Sequence, residues 1–393
     1  MSVNPGLIVH PNSHNDTTPA AASAPACRKY LMPDIRTVGV LTSGGDCAGL
    51  NAVIRAVTYH AVQVYGWRVL GIQDSTLGLL ERPLRYRELQ LNTFDGRLLR
   101  ESGTFLGTTS KDNPLQTRLP DGTIRDRTQD FADGVRELGL DALIVIGGDG
   151  SMRILSQLCE RAKIGMVGVP KTIDNDVHGT DWSVGFATAL SVVTESLDRL
   201  QPTAASHHRV MILEVMGRDA GHIALNGGIA GGADIILIPE LPHSIDGVMQ
   251  RIRQTLAEGR SHVMVVVAEG VKTPDGRQLS VKHSSGQTSY GGIGHYLAEQ
   301  IAPHTSAEVR VTVLGHLQRG GTPSARDRLL ASSFGVRAVE LVAEGRFSRM
   351  VAWRDRGVID VPLSEVTIGS RALDPDDPLI RTARGLGIYV GER

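Results

Sequence analysis

Residues 143–158 read LIVIGGDGSMRILSQL, and this stretch sets the expected fold. The apolar run Leu143–Ile146 predicts a buried strand, and apolar residues between Met152 and Leu158 recur at helical spacing. The glycine-rich turn GGDGS at 147–151 separates the two. A strand, a glycine-rich turn and a helix in that order are typical of a parallel sheet covered by helices.

The same order of elements recurs along the chain. Val38–Thr42 leads into SGGDCAG at 43–49, and apolar residues at helical spacing follow from Leu50 to Val64. Another helix is predicted over Leu190–Leu200, closed by Pro202. Alternating strands and helices predict an α/β fold with mainly parallel sheets and helices on both faces.

Further apolar runs also end in unusual polar sequences. These runs are Gly165–Val169 before PKTIDND (170–176), Met211–Val215 before MGRDAGH (216–222), Val263–Ala268 before Glu269-Gly270, and Val309–Leu314 before GHLQRGGTPSARD (315–327). In parallel α/β sheets, ligands bind beyond the carboxyl ends of the strands. Because polar signatures follow so many predicted strands, we expect them to form the ligand site.

Composition excludes several classes of protein. At 393 residues, with 41% hydrophobic and 21% charged residues, the chain is long enough for two globular domains. Its net charge of −1 argues against a general binder of nucleic acid or of a membrane surface. No run of apolar residues is long enough to predict a transmembrane helix.

The cysteines and the first residues bear on location. Cys27, Cys47 and Cys159 are too few and too scattered for a disulfide scaffold or a zinc site, so we expect a cytoplasmic protein. Residues 1–33 are rich in Ala, Pro, Asn, Ser and Thr, and we interpret them as a disordered tail. They lack the basic start and continuous apolar stretch of a secretory signal.

The turn GGDGS predicts phosphate chemistry. Asp149 can bind Mg2+, and the glycines at 147, 148 and 150 leave the turn open for phosphate oxygens. The alternative is an acidic turn that merely caps the next helix. GGDG also occurs in kinases that phosphorylate NAD or lipids, so the motif indicates the chemistry better than the substrate.

The segment PKTIDND predicts a base beside that phosphate. Asp174 and Asp176 lie so close in the chain that they need different environments or partners. One can accept a proton from a hydroxyl while the other stays solvated or near the metal. Lys171 can neutralise a transferring phosphoryl group. The alternative is an Asx-rich surface turn after Pro170.

Other strand ends supply anion-binding and polar groups. In Ser43-Gly44-Gly45-Asp46, glycine lets backbone N–H groups approach a phosphate at a helix N-terminus. The chain has neither a GxxxxGK[ST] loop nor a GxGxxG fingerprint. Four arginines at strand-end signatures suit phosphate oxygens, and His316 and Glu269 suit sugar or phosphate oxygens. The arginines are Arg209, Arg218, Arg310 and Arg319.

Taken in order, these motifs resemble the 6-phosphofructokinases, which phosphorylate fructose 6-phosphate at O1. The resemblance runs from Arg36 to at least Asp327 and includes GVLTSGGDCAGLNAVIR, GGDGS, PKTIDND, HHRVMILEVMGR, AEG and RVTVLGHLQRGG. In detail the chain looks like bacterial members intermediate between ATP- and pyrophosphate-using enzymes. An inactive regulatory paralogue would have lost a key group, whereas Asp149, Asp174 and Arg218 are all present.

The resemblance implies a role for each motif. Asp174 would be the base, assisted by Lys171 and Arg218, and Asp149 would bind Mg2+. The donor phosphates would be held by Gly45, Gly148, Asp149, Gly150 and Ser151. The sugar phosphate would be bound by Thr172, Asp174, Met216, Gly217, Arg218, Glu269, His316 and Arg319, and by Arg209 and Arg310 of a neighbouring subunit.

The family architecture gives two three-layer α/β domains with the active site in the cleft between them, assembled into a homo-oligomer, typically a tetramer. On this chain we expect a donor and magnesium domain at 34–184 and 318–368. The fructose 6-phosphate domain is expected at 185–317 and 369–393.

Two positions give opposite indications about the phosphoryl donor. In the family, Gly after the magnesium Asp leaves room for a nucleotide, and this chain has Gly150 there. Lys171 is the choice typical of pyrophosphate enzymes, and Ser110 stands where many ATP enzymes carry Arg, a charge that Lys111 or Lys171 could replace. A blocked pocket forbids a nucleotide, whereas an added Lys does not. We therefore expect ATP, with pyrophosphate as the alternative; the pattern leaves ADP open.

Overall fold

The computed structural model describes residues 34–110, 113–119, 121–282 and 288–392. The predicted tail at 1–33 and the candidate cation Lys111 lie outside these ranges.

Strands occur throughout the described part of the chain. In chain order they are β1 (Thr37–Thr42), β2 (Arg68–Ile72), β3 (Tyr86–Leu89), β4 (Thr117–Arg118), β5 (Ile124–Arg125), β6 (Ala142–Gly147), β7 (Gly165–Thr172), β8 (Val184–Gly185), β9 (Val210–Val215), β10 (Ile235–Leu237), β11 (Val263–Ala268), β12 (Ser280–Lys282), β13 (Thr288–Tyr290), β14 (Val309–Val313), β15 (Arg349–Arg354) and β16 (Gly357–Pro362).

Helices alternate with most of these strands. They are α1 (Leu50–Tyr65), α2 (Leu77–Leu80), α3 (Thr128–Glu137), α4 (Asp149–Ala162), α5 (Phe186–His207), α6 (His222–Ala230), α7 (Ile245–Ala257), α8 (Ile293–Ile301), α9 (Ala325–Ala343), α10 (Leu363–Val366) and α11 (Pro378–Gly385).

The larger sheet has the order β16-β15-β7-β6-β1-β2-β3, with β8 paired to the end of β7. Its central strands from β15 to β2 are parallel, and only the outer strands β16 and β3 are antiparallel. In the central strands alternate side chains enter opposite cores: Val38 and Ile144 face the core of α1 and α9, whereas Leu41 and Leu143 face that of α3 and α4. This sheet is therefore the middle of three layers.

The smaller sheet, in the order β10-β11-β9-β14, is wholly parallel. Helices α5 and α6 pack on each other and on its strands, and so do α7 and α8. The predicted α/β class with mainly parallel sheets is confirmed. The domain boundaries proposed from the sequence remain a prediction, although the two sheets divide the strands in the same way.

Two local expectations need correction. Pro202 does not close the helix predicted over Leu190–Leu200, because α5 continues through it to His207. The helix gives up one backbone hydrogen bond at the proline, but Leu197 before it and Ala204 after it are both buried, and their packing holds the two halves together. The second correction concerns β7, which extends to Thr172 and so places Lys171 in a strand rather than in a turn.

Candidate active site

A cavity of about 310 Å³ opens at the carboxyl ends of β1, β6 and β7. The three strands are adjacent and parallel, so the segments that follow them meet at one edge of the sheet. Ten of the sixteen residues to which the resemblance assigns a role line this cavity. They are Gly45, Gly148, Asp149, Gly150, Ser151, Lys171, Thr172, Asp174, Arg218 and Arg319.

The remaining predicted residues are not part of the cavity lining, namely Met216, Gly217, Glu269, His316, Arg209 and Arg310. Glu269 is linked to it directly, because its Oε1 accepts a hydrogen bond from the backbone N–H of Arg218 at 3.2 Å. His316 is exposed in a short 3-10 helix at Gly315–Arg319.

The turn after β1 is held close to its neighbours. Gly44 has a left-handed backbone with φ of 84°, and its N–H donates to the carbonyl of Thr109 at 3.0 Å. A Cβ at Gly45 would lie 3.0 Å from the guanidinium of Arg319, which itself donates to the Asp46 carbonyl at 3.0 Å. Glycine at 44 therefore permits the backbone conformation, and glycine at 45 leaves room for Arg319.

The turn after β6 offers open space beside a carboxylate. Gly148 is the N-cap of α4, and among the described residues no side chain forms a cap hydrogen bond there. Asp149 follows as the first helical residue and lines the cavity, so the alternative in which it merely caps the helix is not what the structure contains. A Cβ at Gly150 would meet no described atom within 4 Å. The helix N-terminus favours bound anions at this point.

Lys171 is buried at the end of β7 and reaches across the sheet. Its Nζ donates to the carbonyl of Gly45 at 2.5 Å, which ties the end of β7 to the turn after β1. Burial is the main cause that lowers the pKa of Lys171, opposed in part by the nearby Asp174 and Asp46 carboxylates. The ammonium group therefore lies between the two turns that bound the cavity.

Asp174 carries a carboxylate whose hydrogen-bonding capacity is largely unused. Its Oδ1 is enclosed and, among the described residues, accepts no hydrogen bond, while Oδ2 lies 3.5 Å from the Thr172 hydroxyl. Burial and then the charge of Asp176 raise its pKa to about 6 from an ordinary value of 3.8, against the opposing effect of Arg319. A carboxylate near its pKa at neutral pH is suited to accept and release a proton.

The loop that carries Asp174 is not a surface turn. Ile173, Asn175 and Asp176 are buried on either side of it. Asn175 has a left-handed backbone with φ of 53°, and its side chain bridges the carbonyl of Asp181 at 3.0 Å and the N–H of Ser183 at 2.9 Å. The loop is thus held by side-chain hydrogen bonds, and its buried setting argues against the Asx-rich surface alternative.

Arg218, which lines the cavity, and Glu269, which is bonded to its backbone, form a second pair of polar groups. Arg218 is exposed, with a left-handed backbone at φ of 53°, and lies in the turn after β9. Burial raises the pKa of Glu269 to about 7, with the Arg218 N–H bond opposing it and Asp174 adding to it. Glu269 can therefore be protonated near neutral pH and donate a hydrogen bond to an acceptor oxygen.

Arg209 and Arg310 lie elsewhere, on the outer edge of the smaller sheet. Both guanidinium groups pair with the carboxylate of Glu308, and the Arg310 side chain is 56% exposed. Arg310 lies within β14, an edge strand whose side chains are mostly only partly buried, and Arg209 directly precedes β9, which pairs with β14. Neither arginine lines the cavity described here.

Sequence reasoning missed Thr76, which lines the cavity from the loop after β2. That loop contains consecutive left-handed residues, Asp74 with φ of 53° and Ser75 with φ of 61°. The Asp74 carboxylate is held by Arg85 at 2.6 Å. The sequence analysis predicted no strand at Arg68–Ile72, so it gave no reason to place Thr76 at this edge of the sheet; the pairing of β2 with β1 in the structure does so.

The family model described as phosphofructokinase matches residues 37–342. The chain belongs to the phosphofructokinase family. A relative named ATP-dependent 6-phosphofructokinase 1, from Synechocystis sp., is 58% identical over 92% of this chain and 99% of its own length. A protein of the same name from Nostoc sp. is 53% identical over 92% of this phosphofructokinase chain and 100% of its own.

Solved structures agree with the family. Phosphofructokinase from Saccharomyces cerevisiae is 31% identical, with a TM-score of 0.70 over 84% of this phosphofructokinase chain and 45% of the yeast chain. A pyrophosphate-dependent phosphofructokinase from Nitrosospira multiformis has a TM-score of 0.75 over 91% of this chain and 93% of its own, at 21% identity, and shares the fold. Among the described residues no helix has the length and apolar character needed to cross a bilayer.

Proposed function

We propose that this phosphofructokinase transfers the terminal phosphoryl group of Mg-ATP to O1 of fructose 6-phosphate, giving fructose 1,6-bisphosphate. The observation that carries the proposal is the pairing, in one cavity, of an open helix N-terminus at Gly148–Gly150 with the Asp174 carboxylate, whose Oδ1 accepts no hydrogen bond from the described residues. The first can bind donor phosphates, and the second can take the proton of an attacking hydroxyl. Curated relatives named ATP-dependent 6-phosphofructokinase support the same reaction.

Asp174 is the proposed base. Its enclosed Oδ1 accepts no hydrogen bond from the described residues, so a sugar hydroxyl placed beside it would supply the missing donor. As the hydroxyl oxygen attacks the terminal phosphorus atom of ATP, its proton passes to this carboxylate. The bond from that phosphorus atom to the bridging oxygen breaks, and ADP leaves with the electron pair of that bond. Base assistance of this kind contributes about 100- to 10,000-fold in rate.

The cationic side chains stabilise the charge of the transferring group. Lys171 is fixed by its bond to Gly45, and Arg319 is fixed by its bond to Asp46, so both cations are positioned before substrate arrives. Phosphoryl transfer depends mainly on such alignment and charge stabilisation. Arg218 and Glu269 lie on the acceptor side, where they would contact the sugar phosphate.

The residues present fit a magnesium ion bound through the donor. Among the described residues no group of three or more His, Cys, Asp or Glu forms a dedicated metal site. Mg2+ typically takes one or two carboxylates and completes its shell with water and phosphate oxygens, and Asp149 at the cavity wall is such a ligand. When bound, the ion would neutralise phosphate charge.

ATP is the preferred donor because the space beside Asp149 is open. Beyond the adjacent residues and the backbone of its own helix, no described atom lies within 4 Å of a Cβ placed on Gly150, so this position puts no side chain in the way of a nucleotide phosphate. Lys171 favours pyrophosphate as the alternative donor, but its amine is already directed to the Gly45 carbonyl. A cation in that position stabilises a phosphoryl group from either donor.

A homo-oligomer, expected to be a tetramer, completes the proposal. Arg209, which is partly buried, and Arg310, which is exposed, lie outside the cavity of their own chain, and this supports the proposal that they act in the site of a neighbouring subunit. If so, Arg310→Ala should raise the KM for fructose 6-phosphate much more than the KM for ATP. A cytoplasmic location is proposed from the cysteine content, and the described thiols of Cys47 and Cys159 are free and buried.

A direct assay tests the reaction. Purified protein is mixed with fructose 6-phosphate and Mg2+ and supplied with ATP, ADP or pyrophosphate in parallel, and fructose 1,6-bisphosphate is measured. We expect product with ATP. Product with pyrophosphate and none with ATP would replace the donor, and no product with any of the three would overturn the proposed function.

A further inference from the structure

A short segment near the C-terminus joins the two sides of the cavity. Residues 370–373, the C-terminal connector, lie against the Asp174 loop on one side and against the start of α6 on the other. Helix α6 begins at His222, four residues after Arg218, which lies in the turn that precedes the helix. None of the motifs quoted in the sequence analysis lies in this connector.

Ser370 contacts the base loop through a side-chain hydrogen bond. Its hydroxyl donates to Oδ2 of Asp176 at 2.7 Å, across 194 positions of sequence. Asp176 is buried, lines the cavity and is one of the charges that raise the pKa of Asp174. A donor to a buried carboxylate fixes the carboxylate in one orientation and opposes the cost of burying it.

Arg371 makes contacts on both sides. Its N–H donates to the Asp176 carbonyl at 2.6 Å, and its guanidinium donates to the Asn175 carbonyl at 2.9 Å. On the other side its carbonyl lies 3.1 Å from Nε2 of His222, the first residue of α6. Because a carbonyl can only accept, Nε2 of His222 carries the hydrogen.

Glu240 completes the bridge to the acceptor side. Its Oε1 accepts from the N–H of Leu373 at 2.9 Å and from the N–H of Gly221 at 2.9 Å. A Cβ at Gly221 would lie 2.8 Å from Oε2 of the same carboxylate, so the contact is close. One carboxylate therefore joins the connector to the N-cap of α6.

We propose that Ser370 and Arg371 are positioning residues that hold the Asp174–Asp176 loop in register with the Arg218 turn. The inference rests on the proposed function, because the base and the sugar phosphate must be aligned for transfer. If these contacts are lost, the base is held less well in line with the sugar phosphate. The rate of the chemical step should then fall more than the affinity for substrate. The contacts run through Asp176, so the effect of Ser370 should depend on that carboxylate.

The test begins with Ser370→Ala and Ser370→Thr in the full chain, assayed with ATP and fructose 6-phosphate. We expect kcat of the alanine variant to fall about tenfold or more, the size expected for a lost hydrogen bond to a charged group. KM for fructose 6-phosphate should change less than about twofold. The threonine variant keeps a hydroxyl and should recover most of the activity. Ser191→Ala, which removes an exposed hydroxyl bonded within α5, is the matched control.

A double-mutant cycle separates positioning from general stability. If Ser370 acts through Asp176, then Ser370→Ala should cost far less in kcat on an Asp176→Ala background, which has no acceptor for the Ser370 hydroxyl, than in the wild type. Arg371→Met keeps the backbone contacts but loses the bond to Asn175, and should give a smaller fall in kcat than Ser370→Ala. Tm and circular dichroism of every variant give the folded fraction to which kcat is normalised.

The outcomes distinguish this inference from the proposed function. Wild-type enzyme that makes no product with ATP, ADP or pyrophosphate overturns the reaction itself. If the wild type is active, an unchanged kcat in Ser370→Ala overturns the positioning role alone. So do a loss that disappears after normalisation to folded protein, a loss that threonine does not restore, and effects of Ser370 and Asp176 that simply add.

Discussion

The turn after β6 and the loop after β7 lie side by side at the same edge of the sheet, yet they are built in opposite ways. The first, at 147–151, is formed by small residues, and a Cβ on Gly150 would meet no described atom. The second, at 173–176, is enclosed and contains a carboxylate oxygen that accepts no hydrogen bond from the described residues.

The difference matches what each region has to do. A donor phosphate is charged and needs open space at the N-terminus of a helix, where the helix dipole attracts it. Larger side chains in the turn would reduce that space. A base must hold a proton loosely near neutral pH, which requires an environment that penalises its charge. Open space on one strand end and a costly buried charge on the next are therefore complementary halves of one site.

The most severe test of the enclosed half removes its base. Asp174→Ala should lower kcat by about 100- to 10,000-fold, because the attacking hydroxyl loses its proton acceptor. Fructose 6-phosphate should still bind, since Arg218 and Arg319 remain, and should still raise Tm. Steady-state kinetics and thermal shifts give both quantities. Full activity in this variant would contradict the assignment of the base.

The open half is tested by filling it. Gly150→Asp should weaken the use of ATP by about 100-fold or more, because a carboxylate would occupy the open space and repel a phosphate. The measurement is kcat/KM for ATP. Gly96→Asp is the matched control, since a Cβ there also meets no described atom and the residue lies outside the cavity. Unchanged ATP kinetics in Gly150→Asp would remove the steric argument.

The free-energy cost of burying the charged Asp174 carboxylate can be measured from the pH dependence of folding stability. The unfolded chain ionises Asp174 near its ordinary 3.8 and the folded chain near the raised pKa of about 6. Folding stability therefore falls as pH rises between these values, and the full cost remains above them. Asp174→Asn should remove this cost, at most about 3 kcal/mol.

The sign of this cost can be read from the difference in Tm between Asp174→Asn and wild type at different pH values. The amide variant should melt higher than wild type near pH 8, and the gap should narrow near pH 5, where folded wild type is protonated. A gap that widens on acidification would mean that the Asp174 carboxylate is stabilised rather than strained in the folded state.

The smallest expected effect concerns Asp176, whose charge helps to raise the pKa of Asp174. Wild-type kcat/KM should fall on acidification through about pH 6, as the base becomes protonated. Asp176→Asn removes a like charge, so the pKa of Asp174 should drop and this acid limb should move to lower pH by up to about one unit. Asp198→Asn, an exposed change on α5, should leave the limb in place.

Much of the site could be predicted because its signals are local. The apolar runs that stop at Ile146 and Val169 predict β6 and β7, although β7 continues to Thr172, and most predicted residues of the segments that follow line one cavity. Contacts from distant segments could not be predicted in this way. Thr76 reaches the cavity after two residues with left-handed backbones. Ser370 contacts Asp176 through a hydrogen bond that spans 194 positions of sequence.

The sequence by itself determined the α/β class, the glycine-rich turn between β6 and α4 and the family, because apolar periodicity, glycine placement and ordered motifs are properties of neighbouring residues. Only the tertiary structure decided which predicted groups meet. It brings Arg218 and Arg319 to the cavity and leaves Arg209 and Arg310 on an outer sheet edge. It also sets the pKa of Asp174, because burial and the charge of Asp176 act through space and depend on how the chain is packed.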